Sequence, residues 1–198
     1  PIFVQFFFKE IDSSFFGASI ITIIFGTLFF LSNIENDKKI NLKQAFLLTS
    51  LSWLSVAIFG SLPFVFSDLN LSITDSFFES MSGITTTGST IITDLSLTPK
   101  SILLWRAILQ WLGGIGIIVM AITLMPTMNV GGMQLLKVSS SDASEKILPK
   151  TKEIAIRLII IYVVLTFFCA FFYKIFGMEF FDSLTHSMTT IATGGFSN

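Results

Sequence analysis

Four long apolar runs, almost free of charge, constrain this chain more than any other feature. Ser13 to Ile34 and Gln44 to Ser67 contain no Asp, Glu, Lys or Arg. Ala107 to Leu136 is uncharged too, but Pro126 and the Gly131-Gly132 pair place the end of its helix near Met125. Leu158 to Tyr173 is shorter and makes a full span if Arg157 and Lys174 extend to the two interfaces. A helix that crosses the hydrocarbon core needs roughly 20 mostly apolar residues, so each run is read as a membrane span. Pro63 is expected to kink or end the second.

The competing reading, buried helices of a soluble protein, fails on charge. The chain is 52% hydrophobic and 13% charged, against about 25% charged in an ordinary globular domain. So few charges cannot coat so large a core, and the same composition excludes disorder. A net charge of −1 without a Lys/Arg block argues against a nucleic-acid partner. Cys169 is the single cysteine, so no internal disulfide forms, and its apolar surroundings fit a small buried hydrophobe. The runs are too long and too many for a signal peptide. The chain begins at Pro1 without Met and stops at Asn198 behind a Gly-rich motif, as expected for a piece of a longer protein.

Basic residues in short loops set the orientation. Lys38, Lys39 and Lys43 follow the first span, and Lys137, Lys146, Lys150 and Lys152 follow the third. Between spans two and three stand only Lys100 and Arg106. The two basic loops are therefore assigned to the cytoplasm. Asp68 to Lys100 and the region after Lys174 then face outward.

Those two outward segments repeat one another. Residues 75–90 read DSFFESMSGITTTGST and residues 182–197 read DSLTHSMTTIATGGFS. They align without a gap, matching Asp75 with Asp182, Ser80-Met81 with Ser187-Met188, Ile84 with Ile191, Thr86 with Thr193 and Gly88 with Gly195. A duplicated unit of span, short helix, Thr/Gly strand and span is the economical account. The stretch from Thr74 to Ile84 is too short to cross a bilayer. An acid at its start suits the positive end of the helix dipole, and Ser72 with Asp75 has capping-box spacing. The helix then enters from outside and aims its partly negative C-terminus at the membrane centre, which favours a cation.

Thr85-Thr86-Thr87-Gly88 has no helical character. Non-helical backbone at membrane depth persists only where protein or water satisfies it. Lining a wet passage, its carbonyl oxygens can replace the hydration shell of a cation. Glycine permits the backbone angles that aim successive carbonyls inward, and threonine stiffens an extended chain. With no charge in either segment, a weakly hydrated monovalent cation fits better than a divalent one, which recruits carboxylates.

With these motifs the chain resembles the TrkH/TrkG/KtrB superfamily of potassium transporters. The residues concerned are SGITTTGST at 82–90, ATGGFSN at 192–198, WLGGIGIIV at 111–119, Met125-Pro126 and Gly131-Gly132-Met133-Gln134. In that superfamily four units of outer helix, pore helix, filter strand and inner helix surround one pore. The resemblance implies an all-α membrane protein with a potassium-channel-like fold that carries potassium into a bacterial cell across the inner membrane, with filters opening to the periplasmic side. The extra span ahead of the first unit favours the TrkH branch.

The implied organisation is an extra N-terminal helix and loop over 1–41. A first unit follows over 42–136, with pore helix 74–84 and filter 85–90. A cytoplasmic loop and truncated second unit occupy 137–198, with helix 154–175, pore helix 180–191 and filter 192–197. By motif, potassium would be bound by the carbonyls of Thr86, Thr87 and Gly88, and of Thr193, Gly194 and Gly195. The first segment has Thr87 before its key glycine where the second has Gly194, so the ring is chemically uneven, and a less selective potassium and sodium pathway of the same superfamily is an alternative. The resemblance also implies no cofactor, a homodimer surrounded by lipid, and a cytosolic nucleotide-binding regulatory subunit of the TrkA type.

Other residues have two readings. Glu79 is a candidate for an electrostatic role at the outer mouth, or a hydrogen-bonded residue of the short helix. Asp94 either concentrates cations at the mouth or is a solvated loop acid. Arg106 beside Trp105 looks like an interface anchor, with a pore role as the alternative. His186, equivalent to Glu79, is the single histidine, so no histidine metal site forms. Gly113, Gly114 and Gly116 follow no strand and precede no Walker lysine, which leaves close helix packing. Ser139 to Ser144 is read as a linker. A sodium-coupled secondary transporter would need inverted repeats and a polar cluster at membrane depth. The two copies here run in the same direction, because two spans separate them. An intramembrane enzyme would need a catalytic constellation that the sequence does not offer.

Overall fold

The computed structural model describes residues 1–10, 13–32, 42–124 and 143–198. The helices, in chain order, are α1 (Ile2–Phe8), α2 (Ser14–Ser32), α3 (Leu42–Phe66), α4 (Ile73–Ile84), α5 (Lys100–Leu124), α6 (Ala143–Ile175) and α7 (Phe180–Ile191). A single 3-10 turn, Leu95–Leu97, precedes α5. No strand occurs among the described residues. Among the described residues, four segments are long and apolar enough to span a bilayer: Ser14–Ser32, Lys43–Phe66, Lys100–Ala121 and Glu153–Ile175. The chain is an all-α membrane protein.

Burial separates the four spans. About 39% of the α5 span is buried inside the protein, against 11–17% of the other three. Phe29 and Phe30 on α2, Leu47 and Leu51 on α3, and Phe167, Phe168 and Phe171 on α6 all lie exposed. A surface this apolar suits acyl chains, not water. The α5 helix is therefore the internal post, and the others form its lipid-facing wall. Cys169 on α6 is half-buried, less enclosed than its apolar surroundings alone predict.

Specific contacts hold α5 in that place. On one side Trp105 donates its indole N–H to the Gly60 carbonyl of α3 at 2.9 Å. On the other, Trp111 donates to Thr166 Oγ1 at 3.0 Å and Tyr162 donates its hydroxyl to the Trp111 carbonyl at 3.1 Å, which ties α5 to α6. Phe15 from α2 meets Trp105 edge-on at 5.9 Å, and Phe15, Phe64, Ile102 and Leu109 form the buried apolar cluster. The start of α5 is capped from a distance, because the Glu10 carboxylate accepts from the Lys100 and Ser101 amides at 2.7 and 3.3 Å. An acid at that end also meets the positive pole of the helix dipole. Lys100 Nζ lies over the rings of Phe8 and Phe181, at 4.5 and 5.3 Å, joining the C-terminal end of α1 to the N-terminal ends of α5 and α7.

Several boundaries differ from the sequence expectation. α3 runs through Pro63 and ends one turn later, at Phe66, because only the hydrogen bond to residue 59 is lost so close to the helix end. α5 begins at Lys100, well before the apolar run at Ala107, and carries Arg106 inside it. α6 begins at Ala143, ahead of residue 154, so the last residues of the expected Ser139–Ser144 linker are helical. Lys38, Lys39, Met125-Pro126, the 131–134 motif, Lys137 and residues 139–142 lie outside the described residues.

Candidate functional site

The two short helices share one architecture. Ser72 and Asp75 close a reciprocal capping box on α4, with the Asp75 amide donating to Ser72 Oγ at 3.1 Å and the Ser72 amide donating to Asp75 Oδ2 at 3.3 Å. α7 has Glu179 at its N-cap without a side-chain cap, and Asp182 in its first turn accepts from Asn198 Nδ2 at 2.9 Å. Both helices end against the middle of α5. A methyl on Gly113 would overlap the Ile84 carbonyl of the first copy, and one on Gly114 would press on Ala192 of the second. Gly113 lies about 20 Å along α5 from its N-terminus, so both C-termini reach the middle of that helix. The glycine pair does pack helices closely, as read from the sequence; Gly116 only touches Trp53.

Beyond the helix ends the two Thr/Gly segments follow the same path. Thr85, Thr86 and Thr87 donate their amides to Met81, Gly83 and Ser82 at 2.9, 2.9 and 3.0 Å. Ala192, Thr193 and Gly194 donate to Met188, Thr190 and Thr189 at 3.1, 3.0 and 3.0 Å. Thr86 and Thr193 both have φ 56°, while Gly88 and Gly195 have φ 79° and 80°. The residue between them, Thr87 or Gly194, is not left-handed. A left-handed β-branched residue is an outlier, costing on the order of 1–3 kcal/mol, and persists only where its surroundings impose it. That it recurs at equivalent positions makes the repeat structural as well as textual. Neither segment pairs as a strand; each is unpaired, irregular backbone.

The segments converge. A methyl on Gly88 would overlap the Gly194 carbonyl oxygen, so the two backbones are in contact there. A methyl on Gly194 would meet the Gln110 side-chain amide of α5. Thr87, Thr193 and Gly195 are exposed, Thr86 and Gly88 half-buried, and Gly194 buried. The two segments that carry the six expected ion-binding residues thus touch directly at Gly88 and Gly194. Gln110 was not singled out from the sequence, although an amide one helical turn beyond an arginine in an uncharged span is a visible signal.

Beside the C-terminal ends of the two segments lies an ion pair. Arg106 and Glu79 are 1% and 0% exposed, and Arg106 Nε donates to Glu79 Oε1 at 2.7 Å. Glu79 also accepts from Thr90 Oγ1 at 2.9 and 3.1 Å and from the Ile91 amide at 3.0 Å. Arg106 Nη1 donates to the Ser197 carbonyl at 3.0 Å, and its guanidinium lies 4.2 Å from the Phe196 ring. Glu79 therefore does not stand at an open mouth; it is the buried, hydrogen-bonded residue of the alternative reading. Arg106 is not an interface anchor, because its head turns inward to an acid 27 positions away. His186, at the position equivalent to Glu79, meets Ser197 Oγ at 3.2 Å, as Glu79 meets Thr90. Asp94 is exposed on the loop and accepts from Ser96 Oγ at 2.6 Å, as a solvated acid would.

Comparison with known proteins places this arrangement. A family model described as TrkH, cation transport protein, matches residues 11–198. The chain is 43% identical over 199 residues to the Trk system potassium uptake protein TrkI of Halomonas elongata, covering 100% of this chain and 40% of that protein. It is 42% identical over 180 residues to the Trk system potassium uptake protein TrkH of Escherichia coli K12, covering 89% of this chain and 37% of that one. The crystal structure of the potassium transporter TrkH from Vibrio parahaemolyticus superposes with a TM-score of 0.86 at 37% identity, over 100% of this chain and 40% of that chain. The chain therefore spans about two-fifths of the length of these relatives.

Proposed function

The chain belongs to the TrkH family of cation transport proteins, and from that premise we propose that it contributes two of the carbonyl-lined segments of a potassium uptake pathway. The observation that carries the reading is the meeting of two Thr/Gly segments with the same alternating backbone, in contact at Gly88 and Gly194. Alternation between residues of positive and negative φ turns neighbouring peptide planes so that their carbonyls lean to one side. The oxygens of Thr86, Thr87 and Gly88, and of Thr193, Gly194 and Gly195, then replace the water around a potassium ion. Both short helices end at this depth, and their negative poles favour the cation there. Glu79 and Arg106 neutralise each other behind the segments, so no fixed charge traps or repels the ion.

The pathway opens to the periplasm, with the basic loops on the cytoplasmic side of the inner membrane, and the ion moves down its electrochemical gradient. The family resemblance extends the proposal to a homodimer controlled by a cytosolic nucleotide-binding subunit. The test is rubidium uptake by the complete protein in liposomes, with and without Gly88→Ser. A side chain at Gly88 collides with the Gly194 carbonyl, so uptake falls or ion preference changes. Unchanged uptake with unchanged preference removes the assignment. A requirement for external sodium would favour coupled transport over a channel-like path.

A further inference from the structure

We infer that Arg106 is a positioning residue that locks the outer ends of the two Thr/Gly segments together and thereby sets the ion preference of the pathway. The inference rests on the carbonyl-pathway reading above. A buried ion pair in a membrane span is costly and is a weak source of stability, so its retention asks for a local function. The geometry supplies one. From Ile91 and Thr90 of the first segment, hydrogen bonds lead to Glu79, from Glu79 to Arg106, and from Arg106 to the Ser197 carbonyl of the second. The guanidinium lies on the Phe196 ring, and one turn deeper the Phe196 amide donates to Gln110 Oε1 at 3.1 Å.

The same face of α5 thus touches both segments at three depths. Arg106 holds their outer ends, Gln110 backs the Gly88–Gly194 contact, and Gly113 with Gly114 receives the two helix ends. A planar fork with several donors can serve an acid, a carbonyl and a ring face at once; a lysine ammonium cannot. The pair carries no net charge, so its field falls off steeply, and its bridge between the segments acts chiefly on the spacing of the carbonyls. Spacing is one of the properties by which a ring of oxygens tells apart ions of different radius.

The experiment uses the complete protein in liposomes and measures rubidium against sodium uptake, with thermal stability in detergent measured alongside. Arg106→Lys keeps the charge opposite Glu79 but loses the carbonyl and ring contacts. The double variant Glu79→Gln with Arg106→Gln removes both charges, so neither is left buried alone. Each is expected to elute and melt as a folded protein, with its rubidium-over-sodium preference reduced by about tenfold, the equivalent of roughly one charged hydrogen bond. Wild-type preference in either folded variant overturns the inference. Gly88→Ser is measured in parallel to separate the two proposals. If it changes uptake while the Arg106 variants do not, only the positioning role fails; if it too is silent, the carbonyl pathway fails.

Discussion

The residues that decide this structure are small ones placed where a single carbon would intrude. A methyl at Gly88 runs into main chain, which cannot give way, whereas one at Gly194 runs into the end of the Gln110 side chain. Gly194→Ala should therefore be rescued in part by Gln110→Ala, and Gly88→Ala should not. A double-mutant cycle on folded yield and rubidium uptake checks this, with a coupling of about 1 kcal/mol or more expected for Gly194 with Gln110. Equal behaviour of the two glycines would contradict the backbone contact. Arg106→Ala should lower stability by about 3–5 kcal/mol, because it leaves Glu79 charged and alone in the interior; a melting curve of the purified protein measures it. At this scale the sequence was partly legible. The doubled Thr/Gly motif announced itself through its own repetition. Arg106 was misread because its position at the head of an apolar run resembles an interface anchor, and its acid lies 27 positions away, beyond any local spacing rule.

At the scale of elements, the short helices depend on their caps and the spans on how closely they approach. Ser72→Ala removes the acceptor for the Asp75 amide and should cost about 1 kcal/mol, seen as a lower melting temperature. No matching loss is expected from Glu179→Ala, since that N-cap makes no side-chain hydrogen bond to its helix and its ion pair with Lys100, at 3.9 Å, is exposed and contributes little. Along the spans, Gly113→Ala should destabilise by forcing α5 off the Ile84 carbonyl, while Gly26→Ala should be neutral or stabilise by up to roughly 1 kcal/mol, since nothing lies within 4 Å of the added carbon. Thermal melting of the two variants side by side separates a packing glycine from an incidental one. The existence of these helices was readable from hydropathy. Their ends were less so. α5 extends N-terminally past its apolar run because Glu10 caps it through tertiary contact, and α3 passes Pro63 because a proline in the last turn breaks little. Neither effect is visible in a hydropathy pattern.

Taken whole, the molecule is a lipid-facing wall around one buried post, with two like units meeting on that post. Thr87, Thr193 and Gly195 remain exposed, so these two segments would enclose only part of the proposed passage. The 198-residue chain reconstituted alone should give no rubidium uptake above empty liposomes, and substantial uptake would contradict the shared-ring geometry. The duplication was legible at this scale, because both copies carry the same residues at the same spacing. The role of α5 as their common support was not, since it rests on contacts between residues roughly ninety positions apart. The most direct measurement of the central claim is the anomalous scattering of thallium, a potassium substitute, bound to crystals of the complete protein. The account predicts thallium beside the Gly88–Gly194 contact, coordinated by carbonyls from Thr86, Thr87 and Gly88 and from Thr193, Gly194 and Gly195. Thallium bound only at side-chain carboxylates, or at no site along these two segments, would contradict it.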